Sequence, residues 1–384
     1  MKFSKMIINS SCYPFKKVND IKAEYIEKGI KVIDLGVGDT SLSAPEKAVE
    51  ALKKAVDDSK NHHYNFYNGY PFFREAASIW MKRRHGVGLD PEKEITALIG
   101  TKEGLFRISS AFIDPDDIAI VPTPAYPAIQ SGIETCGGKV FFLPLRRDNN
   151  FIPDLSEIPE NIKNKAKYIY INYPNNPTTA TMDIEFAKGL LKQAEKYDWA
   201  VISDMAYSEV YENTRNLSLL ELDGAKERVV EFHSLSKTFS MTGFRIGFAA
   251  GNKDIISALV KIKSIRGSSP FQPVQAAGVA AMLNCDDYLV NMRRFYKNNR
   301  NLLKSIFIKN GIEYFNSEST FYLWAKVPDR LLSMEFAAMM IEKYGTVITP
   351  GSLLGTYGEG WFRACFACET EDLIEFGNRF EGVK

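Results

Sequence analysis

The chain has 384 residues, enough for two or three domains and for a sizeable core that needs no disulfide or metal staple. Hydrophobic residues make up 45% and charged residues 25%, and 48 Lys and Arg against 47 Asp and Glu leave no bulk field, so nucleic acid and anionic membrane are not expected as partners. No apolar run is as long as a membrane helix and the first twenty residues lack the core of a signal peptide, so a cytoplasmic protein is expected.

In chain order, the first forty or so residues carry one strand pattern, "KVIDLG", and are too few to stand alone. From residue 94 the chain alternates. The apolar runs "EITALIG", "DIAIVPT", "KVFFLPL", "AKYIYINYP", "WAVISD", "RVVEFHS" and "FRIGFAAG" predict seven buried strands of a mostly parallel sheet. Helical patterns fall between several of them, at Glu103 to Phe112, Pro127 to Cys136 and Asp183 to Tyr197. This predicts an α/β fold with helices on both faces of the sheet.

After Gly251 come the helical stretches Lys253 to Ile265, Val274 to Leu283 and Tyr288 to Asn310. The strands "GIEYF", "TFYLWAKV", "TVITPG" and "WFRACFA" then alternate with helical patterns at Met334 to Tyr344 and Asp372 to Phe380. The expected organisation is a large domain over residues 46–285 and a smaller α/β domain built from 1–45 and 286–384, with a cleft between them. Five cysteines are too few and too scattered for a disulfide framework. Cys365 and Cys368 form a CxxC, yet "WFRACFACE" reads as a strand, Cys12, Cys136 and Cys285 are isolated and the histidines are not spaced as ligands, so no metal site is expected.

Ligands of parallel sheets sit beyond the carboxyl ends of the strands. Those ends carry Thr101-Lys102-Glu103-Gly104, Asn175-Asn176-Pro177-Thr178, Asp204 with Tyr207 one turn on, and Ser234-Leu235-Ser236-Lys237. The stretch Gly100 to Gly104, a glycine turn before a helix beginning near Glu103, is an anion seat or only a capped helix start; Arg245, Ser234 and Ser236 add a cation and two hydroxyls to the same rim. Lys237 is either a solvated rim charge or a buried amine able to form a Schiff base. Asp204 is an N-cap or a carboxylate for a ligand cation, Asn176 a turn former, Tyr207 a helix aromatic. Pyridoxal phosphate accounts for them together: an aldehyde for Lys237, a pyridine nitrogen for Asp204, a phenolate oxygen for Asn176 and Tyr207, and a phosphate for the glycine turn.

The motifs "LGVGD", "YNFYNGYPFFREA", "GTKEG", "PTPAYP", "NYPNNPT", "SDMAYSE", "HSLSKTFSMTGFRIGFAAG" and "WFRACFA", in that order, are similar to those of the pyridoxal-phosphate aminotransferases of the aspartate-aminotransferase fold. The chain most resembles the LL-diaminopimelate aminotransferase group. That resemblance implies fold type I, with a seven-stranded mostly parallel sheet, and transfer of an amino group from a diamino or dicarboxylic amino acid to a 2-oxo acid such as 2-oxoglutarate.

It also implies roles. Lys237 would be the Schiff-base lysine and proton carrier. Asp204 would face the pyridine nitrogen, and Asn176 and Tyr207 the phenolate oxygen. Thr101, Lys102, Ser234, Ser236 and Arg245 would hold the phosphate, with Tyr126 against the ring. Arg363 would clamp the substrate α-carboxylate, Gly38 would let the backbone approach the substrate, Tyr13 would close over it, and Asn176 would line it. Tyr64 would reach the phosphate of a second subunit, which implies a homodimer.

The chain departs from the pattern at Thr179, where a glycine is usual, and in "KSIRGSSPFQP", where Arg266 is a candidate for a distal carboxylate. A C–S β-lyase of the same fold would carry the same cofactor residues. A non-catalytic sensor would need an attached DNA-binding module, and no segment is spare for one.

Overall fold

The computed structural model describes residue 3 and residues 16–64, 66–328 and 331–380. The first strand, β1 (Ile33–Asp34), is followed by β2 (Ile95–Leu98), β3 (Ile118–Thr123), β4 (Lys139–Pro144), β5 (Ala166–Asn172), β6 (Ala200–Asp204), β7 (Val229–Ser234) and β8 (Gly247–Gly251). Strands β2 to β8 form one seven-stranded sheet in the order β2-β8-β7-β6-β5-β3-β4. Within it only β8 runs against its neighbours, β2 and β7. The sheet is therefore the mostly parallel one that the apolar runs predict.

Both faces are covered because alternate residues of each strand point to opposite sides. Tyr168, Tyr170, Ile202, Val230 and Phe232 enter a core with Leu105, Ile108, Ile129, Ile133, Ile256 and Leu259. Ile169, Ile171, Val201 and Val229 enter a second core with Phe73, Ala77, Leu190 and Ala281. Helix Gln272–Asn284 is rich in small apolar residues, which lets it lie close to two neighbours, Glu46–Asp57 and Pro71–His85. A Cβ on Gly278 would meet the Phe73 ring at 2.9 Å.

The later strands are β9 (Tyr314–Phe315), β10 (Tyr322–Lys326), β11 (Thr346–Val347), β12 (Thr349–Pro350) and β13 (Trp361–Cys365). An antiparallel sheet β12-β13-β10-β9 forms the second layer, and β1 pairs in parallel with β11, Ile33 opposite Thr346. The early strand thus joins the late part of the chain, as its shortness suggests. Helix Asp286–Lys309 runs between the layers. Its Arg300 bonds Glu212 at 3.0 Å and the Thr320 carbonyl at 3.1 Å, and its Asn299 amide donates to the carbonyls of Phe366 and Cys368.

Three expectations shift. The helix expected near Glu103 begins at Thr101, directly after Gly100, whose φ of +70 turns the chain out of the strand. The helix expected at Tyr288 begins at Asp286, one residue after the preceding helix ends. "WFRACFACE" is not one strand: β13 stops at Cys365, and Phe366 leaves it to donate its N–H to the Phe321 carbonyl.

Candidate active site

The carboxyl ends of β5, β6 and β7 and the first turn of helix Thr101–Phe112 open on a cavity of about 370 Å³. Its opposite wall comes from residues 36–39 after β1, together with Tyr322, Thr349 and Arg363 of the second layer. Lys237 lies in the one-turn helix Leu235–Thr238, where the Ser234 hydroxyl accepts the Ser236 N–H at 3.2 Å. Its amine donates to the Gly38 carbonyl at 2.6 Å. Burial pushes the Lys237 pKa below that of an ordinary lysine, and the Asp39 carboxylate pulls it part of the way back. A larger neutral fraction at neutral pH makes this amine a nucleophile and a base.

Asp204 closes β6, opposite Asn172 at the end of β5. Asp204 accepts the Ala206 N–H at 3.1 Å and the Tyr170 hydroxyl at 3.3 Å, and burial pushes its carboxyl up to about 6. No cation pairs with it among the described residues, so a buried ligand cation would be strongly favoured beside it. The Asn172 amide ties two site residues together: it donates to the Asp204 carbonyl at 2.8 Å, and its oxygen accepts the Asn176 N–H at 2.8 Å.

Arg363 enters from β13 and is buried. It donates to Asn176 Oδ1 at 2.8 Å, to the Gly36 carbonyl at 2.6 Å and to Thr349 Oγ1 at 3.3 Å, and its guanidinium lies 4.2 Å from the Tyr322 ring centroid. Its Nε has no hydrogen-bond partner and no carboxylate pairs with it among the described residues. A buried guanidinium in that state suits a carboxylate ligand. Tyr322 also shares a 2.7 Å hydrogen bond with Tyr207, and burial pushes its phenol up to about 12 despite Arg363, so both hydroxyls stay protonated. At Gly38 a Cβ would lie 2.2 Å from the Tyr322 oxygen, so only glycine fits.

At the other end of the cavity, Gly100 precedes the helix start at Thr101 and Lys102, where backbone N–H groups point outward from the helix end. Arg245, itself at φ +55, lies so close to Gly100 that a Cβ there would be 2.5 Å from its Nη2. Ser234 and Ser236 line the same end. A helix N-terminus, two hydroxyls and a guanidinium form an anion seat.

Of the residues singled out in the sequence, Gly38, Thr101, Lys102, Tyr126, Asn176, Asp204, Tyr207, Ser234, Ser236, Lys237, Arg245 and Arg363 all line this one cavity. Tyr64 is fully exposed, away from the cavity, and Arg266 is exposed at the end of helix Lys253–Arg266. Tyr13 lies outside the described residues. Sequence reasoning missed Asn172, Tyr322, Thr349 and Asp34. Asn172 ends the run "YIYIN" on the same rim and was open to the strand-end rule, as was Asp34 at the end of β1 in the two-stranded parallel sheet; Tyr322 and Thr349 sit on the antiparallel second layer, where no strand-end rule applies.

Comparison with known proteins agrees with this geometry. Residues 30–379 match the family of class I and II aminotransferases, and the chain belongs to that family. It is 44% identical over 373 residues to an LL-diaminopimelate aminotransferase of Aquifex aeolicus, covering 97% of this chain and 96% of that one. Substrate-bound BacF of Bacillus subtilis superposes with a TM-score of 0.95 at 32% identity, covering 99% of this chain and 97% of that one. A probable N-succinyldiaminopimelate aminotransferase of Thermus thermophilus superposes with a TM-score of 0.90 at 32% identity, covering 95% and 98%.

The protein is thus an aminotransferase with pyridoxal 5′-phosphate as its cofactor, acting on an amino acid and a 2-oxo acid. The cavity suits that group chemically. It offers an amine for an aldehyde, a buried carboxylate without a cation for a pyridine nitrogen, and an anion seat for a phosphate. No helix among the described residues is long and apolar enough to cross a membrane.

Proposed function

We propose that the protein transfers the amino group of LL-diaminopimelate, or of a close diamino dicarboxylic relative, to a 2-oxo acid such as 2-oxoglutarate. The observation that carries the substrate is the similarity along almost the whole chain to the Aquifex aeolicus enzyme of that name. The buried Arg363 without a carboxylate partner supports an α-carboxylate as the anchoring group.

In this reading Lys237 would be the amine that holds the cofactor through its aldehyde between turnovers. Asp204 would pair as a carboxylate with the pyridine nitrogen, Asn176 and Tyr207 would hold the phenolate oxygen, Tyr126 would face the ring, and Thr101, Lys102, Ser234, Ser236 and Arg245 would hold the phosphate. When bound, pyridoxal phosphate supplies the electron-withdrawing ring that makes the Cα proton of an attached amino acid removable. Arg363, fixed by Asn176 and the Gly36 carbonyl, orients the substrate so that its Cα proton faces Lys237. The Lys237 amine, freed by the incoming amino group, takes that proton, holds it and returns it on the cofactor side. Water would release the first 2-oxo acid while the cofactor keeps the amino group; in the second half Arg363 would hold an incoming 2-oxo acid, which would take that amino group, and Lys237 would deliver a proton to its carbon 2.

Residues 46–285 form the large domain in this reading, and 1–45 with 286–384 the small one. Two chains form a dimer in which Tyr64, exposed in the single chain, reaches the phosphate of the second site. The location is cytoplasmic.

The test is purified enzyme with pyridoxal phosphate and 2-oxoglutarate against LL-diaminopimelate, its N-succinyl form, aspartate, alanine and aromatic amino acids, following glutamate. Turnover of a diaminopimelate form is expected, and its absence with all forms rejects the substrate. Lys237→Ala is expected to abolish turnover and the absorbance of the lysine-bound cofactor. Ammonia and pyruvate from a β-substituted amino acid would mark a lyase instead.

A further inference from the structure

Two of the basic side chains that line the cavity, Lys237 and Arg363, rest on one turn. Lys237 donates to the Gly38 carbonyl and Arg363 to the Gly36 carbonyl, both at 2.6 Å. That turn is itself held by a single carboxylate: Asp34 Oδ1 accepts the Gly36 N–H at 2.8 Å and the Val37 N–H at 3.0 Å. Its other oxygen accepts Lys22 Nζ at 2.6 Å. Two successive N–H groups converging on one carboxylate oxygen fix the orientation of the peptide units that follow. Behind the turn, Thr349 Oγ1 donates to the Gly36 carbonyl at 2.8 Å, and the Tyr322 hydroxyl fills the space where a Gly38 side chain would be.

We infer that Asp34 is a positioning residue for both Lys237 and Arg363, setting through the Gly36 to Gly38 carbonyls where the carboxylate clamp and the Lys237 amine, whenever it is free, are held. The inference rests on the roles of Lys237 and Arg363 proposed above. Asp34 itself transfers no proton and binds no substrate. Its contribution is the acceptor it offers to Gly36 and Val37, and the ion pair with half-exposed Lys22 is secondary. Because donor and acceptor substrates both place a carboxylate on Arg363, loss of Asp34 affects both alike.

The experiment compares Asp34→Ala, Asp34→Asn and Lys22→Met in the full chain, with two readouts. In steady-state kinetics, Asp34→Ala raises the KM of the amino donor and of the 2-oxo acid together by about tenfold. Asp34→Asn, which keeps an acceptor oxygen, recovers both to within about threefold, and Lys22→Met leaves them within about twofold. In the cofactor-free protein, acetylation of Lys237 by dilute acetic anhydride, read by peptide mass spectrometry, is about threefold or more faster in Asp34→Ala, because the amine has lost its fixed acceptor, while surface lysines are unchanged.

Should Asp34→Ala not fold, Asp34→Val, which also lacks an acceptor and suits a strand, takes its place with the same readouts. Unchanged KM values and unchanged Lys237 labelling in that variant overturn the inference, as does an Asp34→Asn enzyme as impaired as Asp34→Ala. A drop in thermal stability with normal KM values also overturns it, since that is a purely structural role. Inactivity of the wild-type chain toward every amino donor would instead sink the proposed function beneath it.

Discussion

Asn176 Oδ1 accepts a hydrogen bond from Arg363 Nη1 at 2.8 Å, joining the rim of the seven-stranded sheet to the middle of β13. The amide aims the guanidinium and leaves its Nε for a ligand. Arg363→Lys keeps the charge but loses the planar fork, so kcat/KM for donor and acceptor is expected to fall by about 100-fold, mostly through KM. Asn176→Ala removes the aim together with the amide proposed for the phenolate oxygen, and should raise both KM values by about tenfold and lower kcat as well. Steady-state kinetics with each substrate varied in turn checks both. Loss confined to one substrate would separate the two carboxylate sites.

Asp204 titrates against a buried background. Its folded-state carboxyl is pushed up to about 6 from an ordinary 3.8, so the cofactor-free protein holds this proton more tightly than the unfolded chain does. That contribution to stability is full below about pH 4 and is lost as the pH rises through about 6, a change of about 3 kcal/mol. Asp204→Asn should flatten this part of the stability curve. Urea unfolding of cofactor-free wild type and variant between pH 4 and pH 7 checks it, and parallel curves would refute it. The same variant is expected to lose about 1,000-fold or more in kcat, because a neutral amide does not keep a pyridine nitrogen protonated.

Gly100 is the contact point of the anion seat. Its φ of +70 and the Arg245 guanidinium both exclude a side chain. Gly100→Ala must move Arg245 or the helix start, so pyridoxal phosphate is expected to bind about tenfold more weakly, read by absorbance titration of the cofactor-free enzyme. Inorganic phosphate should compete less well with the cofactor in the variant than in wild type.

Thr179 is the departure visible in the sequence, and the backbone explains why a glycine is usual there. Its φ is +66, the left-handed region that β-branched residues avoid, and its buried hydroxyl has no partner among the described residues. Thr179→Gly is expected to stabilise the protein by about 1 kcal/mol, the relief of strain exceeding the entropy that glycine loses. Thermal or urea unfolding checks it. A less stable variant would mean that packing of the buried Thr179 methyl outweighs the strain.

The rim of the large sheet was legible because a physical rule points to it: polar residues directly after buried parallel strands face one edge. Asp204, Asn176 and Lys237 were each found by that rule, with an ordinary explanation competing at each. Arg363 was legible only through resemblance, since it lies inside an antiparallel strand of the second layer, 187 residues from the amide it meets. Tyr322 left no signal, and Asp34 only its place at the end of a two-residue parallel strand. Tyr322 reads as one aromatic among the apolar residues of "TFYLW", and the work of Asp34 is done on backbone N–H groups two and three residues away. The start of helix Thr101–Phe112 falls earlier than its sequence pattern suggests because a glycine turn reads as loop, whereas Gly100 acts as its cap.

The pairing of Ile33 with Thr346 sets an order on biosynthesis. The seven-stranded sheet has its last strand once Gly251 has been made, but the turn that holds Lys237 and Arg363 has no strand to lie against until residues 346 and 347 follow. A nascent chain therefore carries every strand of its large sheet well before it carries the strand that backs this turn. Any stop before Arg363 leaves a chain that carries Lys237, Asp204 and Arg245 but lacks the guanidinium proposed to seat the substrate carboxylate.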